Sequence, residues 1–408
     1  MGGNVTAISK SGKQTKAEKI PIKTIGRQKF VKVIQDLLKQ INKDFKKLFK
    51  TELWTDEKQI ANGFVFNGST SFIMNPEIPD EEIIKYKESA GDLDIAVPEY
   101  QRGNLWEYLD SIDSKEVIQG VTYMGSNKPT KSSVGMQINC VFMLDFDGLR
   151  VPAQIDFEFL PFSETGIPTE WAKFSHSSSF DDCKAGVKAV HHKYILRALV
   201  GAMSVRSDIV IATNTSTYDN IKISKSVVNQ NPRTLKFSVI RGIRQAYKPL
   251  LDPNGNPVYV DGKQVFKESP TSDGNYVTDV MEMFKLSFKN AENIEEDSKK
   301  FWSFMGVLDL LDKYADKEQI DKIHERYLQL LWEPGTGYNR GQELEALNPE
   351  LDYKVKIGGY LKFIERFGLE DKSKEICPLY YQDYGQRLPK HLRNLEESFI
   401  WYLAKADF

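Results

Sequence analysis

The chain has 408 residues, of which 40% are hydrophobic and 27% are charged, and its formal net charge is -2. This composition is typical of a globular protein with two or three domains, and the net charge excludes a chain that is basic throughout. The three widely spaced cysteines (Cys140, Cys183 and Cys377) disfavour a disulfide framework or a cysteine zinc site and indicate a reducing, cytoplasmic location. Because no apolar run is long enough to cross a bilayer and no signal-peptide core is present, we expect no membrane partner.

The N-terminal region is predicted to contain a tail followed by a long helix. Residues 1–25 are polar and rich in Lys, Gly, Ser and Thr, which predicts a flexible tail. From Arg27 to Phe49, apolar residues recur at helical spacing, which predicts an amphipathic helix packed on a sheet. The core domain is predicted to span residues 26–205.

The stretch from Gly63 to Pro98 organises this predicted core. Phe64–Phe66 reads as a short buried strand and Asn67-Gly68-Ser69 as the turn after it. A proline-bearing loop and a short helix, predicted over Asp80–Ser89, lead to a strand over Asp92–Pro98. Asp92 and Asp94 are two residues apart, so both side chains point to one face while Leu93 and Ile95 point into the core. Two carboxylates this close repel each other unless a cation such as Mg²⁺ lies between them.

A predicted hairpin supplies a third carboxylate. Asp147-Gly148 is a tight-turn signal between a strand over Gln137–Leu144 and a return strand over Val151–Leu160. Asp156 lies on the return strand among apolar residues, and Glu158, on the same face, is the reserve candidate. Asp145-Phe146-Asp147 also spells D-x-D, but it runs directly into Gly148 and is interpreted as turn chemistry.

The rest of the chain is predicted to contain a further helix and two modules. Ser179–Met203 reads as one helix, with Lys184 and Lys188 on its polar side. Its neighbouring His191 and His192 face different directions, so packing or hydrogen bonding is favoured over a shared metal ion. Residues 206–290 are turn-rich and predicted to form a β-rich module, and residues 291–408 to form a helical domain; the glycine-rich run from Pro334 to Gly341 lacks the Lys-Ser/Thr of a P-loop.

Taken together, a Gly-Ser turn, GDLDIAVP and a strand-borne QIDFEF, in that order, resemble the polymerase-β-like nucleotidyltransferase superfamily, over about Phe64 to Leu199. The resemblance implies an α+β fold, with a nucleotidyltransferase-type mixed sheet and flanking helices. It further implies transfer of a nucleotide monophosphate from an NTP such as ATP to an acceptor hydroxyl, with loss of pyrophosphate. One departure is the gap between Gly68 and Asp92, which is longer than the family's usual short helix.

The resemblance also implies roles for particular residues. Two Mg²⁺ or Mn²⁺ ions would be held by Asp92, Asp94 and Asp156, which are also the implied catalytic residues. The implied NTP contacts are Gly68, Ser69, Ser178, Lys184 and Lys188, and the acceptor would be a nucleic acid (RNA, tRNA or DNA). A looser resemblance around GDLDI to bacteriophage nucleotidyltransferases would imply the cytoplasm of an infected bacterium.

Two alternatives remain open from the sequence. The first is a catalytically silent scaffold of the same fold that binds nucleic acid or assembles with other proteins, although the intact Asp92, Asp94 and Asp156 speak against it. A toxin-like transferase that modifies tRNA or protein is the second alternative. Kinases and serine or cysteine hydrolases are disfavoured, because the chain lacks a P-loop, the HRD and DFG motifs, and a G-x-S-x-G elbow.

Overall fold

The computed structural model describes residues 5–55, 57–204, 208–212, 229–230, 234–269, 276–332 and 358–373. The chain divides into two compact units, Met1–Ala185 and Gly186–Phe408. The first unit therefore includes the predicted tail and ends before the predicted core boundary at residue 205. Cys377, the glycine-rich run from Pro334 to Gly341 and an apolar helical pattern between Leu392 and Leu403 lie outside the described residues.

The first unit is built on a seven-stranded mixed sheet with the order β2-β1-β5-β6-β7-β3, in which β4 also pairs with β5. Its strands are β1 (Thr6–Ile8), β2 (Gln14–Lys16), β3 (Asp92–Pro98), β4 (Glu116–Ile118), β5 (Val121–Ser126), β6 (Gln137–Phe146) and β7 (Leu149–Leu160). All pairs are antiparallel except β3 with β7, which run parallel. The predicted mixed sheet is thus confirmed, as is the hairpin at Asp147-Gly148, where both residues have positive φ angles of 54° and 96°.

Helices surround this sheet. They are α1 (Ile22–Ile25), α2 (Arg27–Phe49), α3 (Glu57–Ala61), α4 (Thr70–Ile73), α5 (Asp80–Tyr86), α6 (Arg102–Ser111), α7 (Glu170–His176) and α8 (Phe180–Lys184), with 3-10 turns at Glu99–Gln101 and Lys131–Ser133. The long amphipathic helix α2 has the bounds that its apolar spacing predicts. Phe30, Ile34 and Phe45 are fully buried in the main core cluster with the inward side chains of β3, β6 and β7.

The predicted flexible tail is wrong for residues 5–25. β1 pairs with β2 and, through Ile8, with Ser126 of β5. Ala7, Ala17 and Ile20 are buried, although the sequence around them is polar. A short edge strand buries only alternate small residues, so its composition resembles that of a tail and it is recognised only by its pairing.

The predicted strand over Phe64–Phe66 is also wrong. These residues form turns with one isolated antiparallel bridge, between Phe66 and Ile95, and they run along the outer edge of β3. Two hydrogen bonds fix that edge: Ala96 N donates to Val65 O at 2.7 Å, and Asn67 N donates to Asp94 O at 2.9 Å. These two bonds pair the middle of β3 with the turn segment without a regular strand.

The predicted single helix over Ser179–Met203 is broken into α8 and α9 (Val190–Met203). Gly186 lies between them with φ of +71°, a left-handed conformation that ends a right-handed helix. Ser179 does cap α8, because its hydroxyl accepts from Asp181 N at 3.1 Å. Lys184 and Lys188 consequently do not share one helix face, and they belong to different compact units.

The described part of the second unit contains α9 and two small sheets, with the orders β10-β11-β15 and β12-β14-β8-β9, and β13 also pairs with β14. Their strands are β8 (Ile209–Ala212), β9 (Asn229–Gln230), β10 (Leu235–Ser238), β11 (Gly242–Gln245), β12 (Tyr247–Pro249), β13 (Tyr259–Val260), β14 (Lys263–Glu268) and β15 (Tyr276–Val277). The remaining helices are α10 (Val280–Ser287), α11 (Ile294–Lys300), α12 (Phe304–Tyr314), α13 (Lys317–Trp332) and α14 (Gly358–Phe367). The predicted helical C-terminal region is confirmed among the described residues, none of whose helices is long and apolar enough to cross a membrane.

Candidate functional site

Asp92, Asp94 and Asp156 converge at the parallel pair of strands β3 and β7. One carboxylate oxygen from each lies within 4.8 Å of the others. The register explains the convergence, because Asp94 lies directly beside Asp156 and Asp92 beside Gln154. As the alternation predicts, Leu93 and Ile95 are fully buried on the opposite face of β3. The three predicted carboxylates are therefore brought together, and their oxygens form a donor set suited to a hard divalent cation.

Asp156 is the most enclosed of the three carboxylates, with 5% of the residue exposed. Burial raises its pKa to about 7, and the negative charges of Asp92 and Glu158 act in the same direction. Hydrogen bonds from Asn139 and Gln154 oppose this rise in the pKa, because they favour the charged form. A cation among the three carboxylates would likewise favour the ionised form of Asp156.

Gln154 and Asn139 hold Asp156 and were missed by sequence reasoning. Gln154 Nε2 lies 2.9 Å from both Asp156 oxygens, and Val5 N donates to Gln154 Oε1 at 3.2 Å, which orients the amide. Asn139 is paired with Asp156 across β6 and β7. Asn127 Nδ2 donates to the Oδ1 of Asn139 at 2.6 Å, which orients that amide. Strand periodicity could have found Gln154, and counting back from the Asp147-Gly148 turn could have found Asn139, but no local signal points to Val5.

The Asn67-Gly68-Ser69 turn packs against Asp94. Gly68 has φ of +50°, and a Cβ there would lie 1.8 Å from Asp94 Oδ2, so only glycine fits. Gly68 N donates to His176 O at 2.8 Å, which corrects the expectation that this N–H is available to a phosphate. Ser69 precedes α4, and its hydroxyl makes no capping bond.

A partly buried polar cluster lies behind this turn. Asn67 Nδ2 donates to Glu158 Oε2 at 2.7 Å, and Lys173 Nζ donates to Phe66 O at 2.6 Å. Burial lowers the pKa of Lys173 to about 8, and Glu158 opposes that shift. Glu158, the reserve candidate, therefore supports the turn rather than joining the group of three aspartates. Lys173 was not predicted, because one lysine on a short helix carries no signal of its own.

The other predicted nucleotide contacts fall in three places. Ser178 is beside the turn, because its N donates to Gly68 O at 3.1 Å. Lys184 forms an ion pair with Asp181 at 2.6 Å on α8. Lys188 lies in the second unit just before α9, where its carbonyl oxygen accepts from His191 N.

The two motifs that the sequence analysis rejected as metal sites make hydrogen bonds within the protein instead. His191 Nδ1 is 2.6 Å from Tyr327 OH, and His192 Nε2 is 2.9 Å from Phe301 O, so both histidines hydrogen-bond inside the second unit as predicted. Asp145 Oδ1 accepts from Gly148 N at 2.6 Å, which confirms turn chemistry for Asp145-Phe146-Asp147.

Comparisons of the chain with protein-family models, with curated proteins and with solved structures found no match. Its function is therefore inferred from the side chains and their geometry.

Proposed function

We propose that this chain is a metal-dependent nucleotidyltransferase, which moves a nucleotide monophosphate from an NTP to an acceptor hydroxyl, with a nucleic acid as the acceptor. The observation that supports this most is the convergence of Asp92, Asp94 and Asp156 within 4.8 Å beside the Gly68 turn. Three carboxylates on neighbouring strands are a simple way to hold the cations that phosphoryl chemistry requires.

The donor set fits Mg²⁺ or Mn²⁺, because all three side chains offer hard oxygen ligands. Asp92 and Asp94 are half-buried and Asp156 is buried. The first two carboxylates are therefore accessible to a substrate, while the third is shielded from solvent. Two such cations, when bound, neutralise the triphosphate and make the acceptor hydroxyl more acidic.

The chain's own residues would position the reactants. In the reaction, the acceptor oxygen bonds to the α-phosphorus, the bond from that phosphorus to the bridging oxygen breaks, and pyrophosphate leaves. Asp156, the most enclosed of the three carboxylates, is assigned to receive the hydroxyl proton. The Ser69 hydroxyl, at the Gly68 turn, is assigned to the departing phosphates.

Transfer is tested directly with purified full-length protein, Mg²⁺ or Mn²⁺, each α-labelled NTP and dNTP, and pools of RNA, tRNA, DNA and protein acceptors. We expect label transfer that disappears in the Asp92→Ala/Asp94→Ala double variant. The matched control is Asp145→Ala/Asp147→Ala, which removes the D-x-D of the hairpin turn and should leave transfer intact. Transfer to protein would favour the toxin-like alternative.

Calorimetry with Mn²⁺ separates an inactive enzyme preparation from a silent scaffold. We expect the wild-type protein to bind Mn²⁺ and the Asp92/Asp94 double variant to lose that binding while retaining its circular dichroism spectrum. Equal Mn²⁺ binding by the two proteins, together with no transfer, would contradict the proposed function and favour the scaffold.

A further inference from the structure

A cavity of about 620 Å³ opens beside the Gly68 turn within the first unit. Ser71 and Ser178, which line it, are both bonded to Gly68: Ser71 Oγ donates to Gly68 O at 2.8 Å, and Ser178 N donates to the same oxygen at 3.1 Å. The other side of Gly68 faces the Asp94 carboxylate. One glycine therefore separates the cavity from the acidic group.

The walls of the cavity combine aromatic rings with polar groups. Phe64, Phe72 and Phe180 line it, and the rings of Phe72 and Phe180 lie 5.5 Å apart between centroids. Phe64 is 46% exposed, so its ring is accessible to a ligand in the cavity. Asn75 and Lys173 also line the cavity and provide hydrogen-bond donors.

We propose that this cavity binds the nucleobase and ribose of the NTP, an inference that rests on the proposed nucleotidyl transfer. Aromatic side chains stack on bases of any sequence, and amide and ammonium donors pair with base and ribose oxygens. An apolar peptide side chain would cover the amide of Asn75 and the ammonium of Lys173 without offering either group an acceptor, which costs free energy. The position beside Gly68 places the base on the side of Asp94 away from Asp156, which leaves the Asp156 side to the acceptor.

Nucleoside binding tests this assignment without requiring activity. Adenosine, guanosine, cytidine and uridine are titrated into full-length protein in EDTA, followed by saturation-transfer NMR, for wild type, Phe64→Ala, Phe64→Trp and Tyr100→Ala. We expect at least one nucleoside to bind, with about tenfold weaker binding in Phe64→Ala because a stacking ring is lost. Phe64→Trp should restore binding, and Tyr100→Ala, which removes a 73% exposed ring, should have no effect.

Where transfer activity is found, KM for the NTP should rise about tenfold in Phe64→Ala while kcat changes little, since the ring is remote from the reacting atoms. Inhibition by inorganic tripolyphosphate should be unchanged, because it lacks a base.

Failure of this inference differs from failure of the proposed function. Transfer with the same KM in Phe64→Ala, or nucleoside binding that is absent or independent of Phe64, would overturn the cavity assignment and leave the transferase proposal standing. Phe64-dependent nucleoside binding without transfer would support the cavity as a nucleoside site while contradicting the enzyme.

Discussion

At the scale of single residues, the site depends on a polar row that crosses neighbouring strands. Asn139 on β6, Asp156 on β7 and Asp94 on β3 occupy adjacent positions, and Gly68 packs on the far side of Asp94. Neighbouring strands are about 4.8 Å apart, so two carboxylates in register are close enough to hold one cation between them. Gly68 completes the row because it takes up no space where Asp94 needs it.

Substituting Gly68 tests this packing. In Gly68→Ala, the new Cβ must displace the Asp94 carboxylate, so we expect the Mn²⁺-induced rise in Tm to be lost. The left-handed backbone conformation adds a destabilisation of about 1–2 kcal/mol. Gly12→Ala is the matched control, because Gly12 has φ of +80° but no atom within 4 Å of a Cβ. Thermal unfolding with and without Mn²⁺ measures both effects, and an equal Mn²⁺ response in the two variants would contradict the proposed packing.

At the scale of elements, one buried arginine joins the long helix α2 to the loop that precedes α5. Arg27 Nε donates to Ile73 O and its Nη1 to Ile78 O, both at 2.7 Å, and it forms an ion pair with Asp80 at 2.6 Å. Only 5% of Arg27 is exposed. The proline-bearing loop, which departs from the resembled family, is therefore held in place by charge-assisted hydrogen bonds.

Removing that arginine should destabilise the first unit strongly. Arg27→Met keeps much of the side-chain volume but leaves carbonyl oxygens and Asp80 without their donor, so we expect a loss of about 3–5 kcal/mol in the free energy of unfolding. Lys29→Met is the control, because its ion pair with Asp147 is exposed and should contribute less than about 1 kcal/mol. Urea denaturation compares the two variants, and similar losses would show that Arg27 is not a structural anchor.

At the scale of the whole molecule, the acidic group connects stability to pH and to divalent cations. The pKa of Asp156 rises from 3.8 to about 7 on folding, so the folded protein binds this proton more tightly than the unfolded chain. The contribution of this carboxyl to stability is therefore greatest below about pH 4 and falls as the pH rises towards 7. A shift of this size corresponds to a loss on the order of 4 kcal/mol.

A pH series checks that sign. In EDTA, we expect Asp156→Asn to be more stable than wild type at pH 8 and nearly equal to it at pH 4, because the variant never ionises in the buried position. Mg²⁺ or Mn²⁺ should stabilise wild type more at pH 8 than at pH 5 and should have no effect on Asp156→Asn. Asp147→Asn, at an exposed turn carboxylate, is the control. If Asp156→Asn and wild type have the same Tm at pH 8 in EDTA, the raised pKa of Asp156 is contradicted.

Local patterns in the sequence were sufficient to predict several features of the first unit. The apolar period of α2, the tight turn at Asp147-Gly148 and the alternation that puts Asp92 and Asp94 on one face all depend on residues a few positions apart. Such patterns reflect backbone geometry, which repeats along the chain. They also predicted Asp94 and Asp156, the two carboxylates of the row, whereas the amide of Asn139 was missed.

Only the tertiary structure decided which distant segments of the chain lie beside one another. The pairing of β3 with β7 sets Asp94 beside Asp156, and a chain segment 149 residues away in sequence supplies the Val5 N–H that orients Gln154. The break at Gly186 separates two lysines that a continuous helix would have aligned. Alternation along one strand determines which face a side chain takes, but it contains no information about which strand, turn or edge will lie against that face. That choice comes from burying the apolar faces of the whole unit together, so it cannot be read from any single stretch.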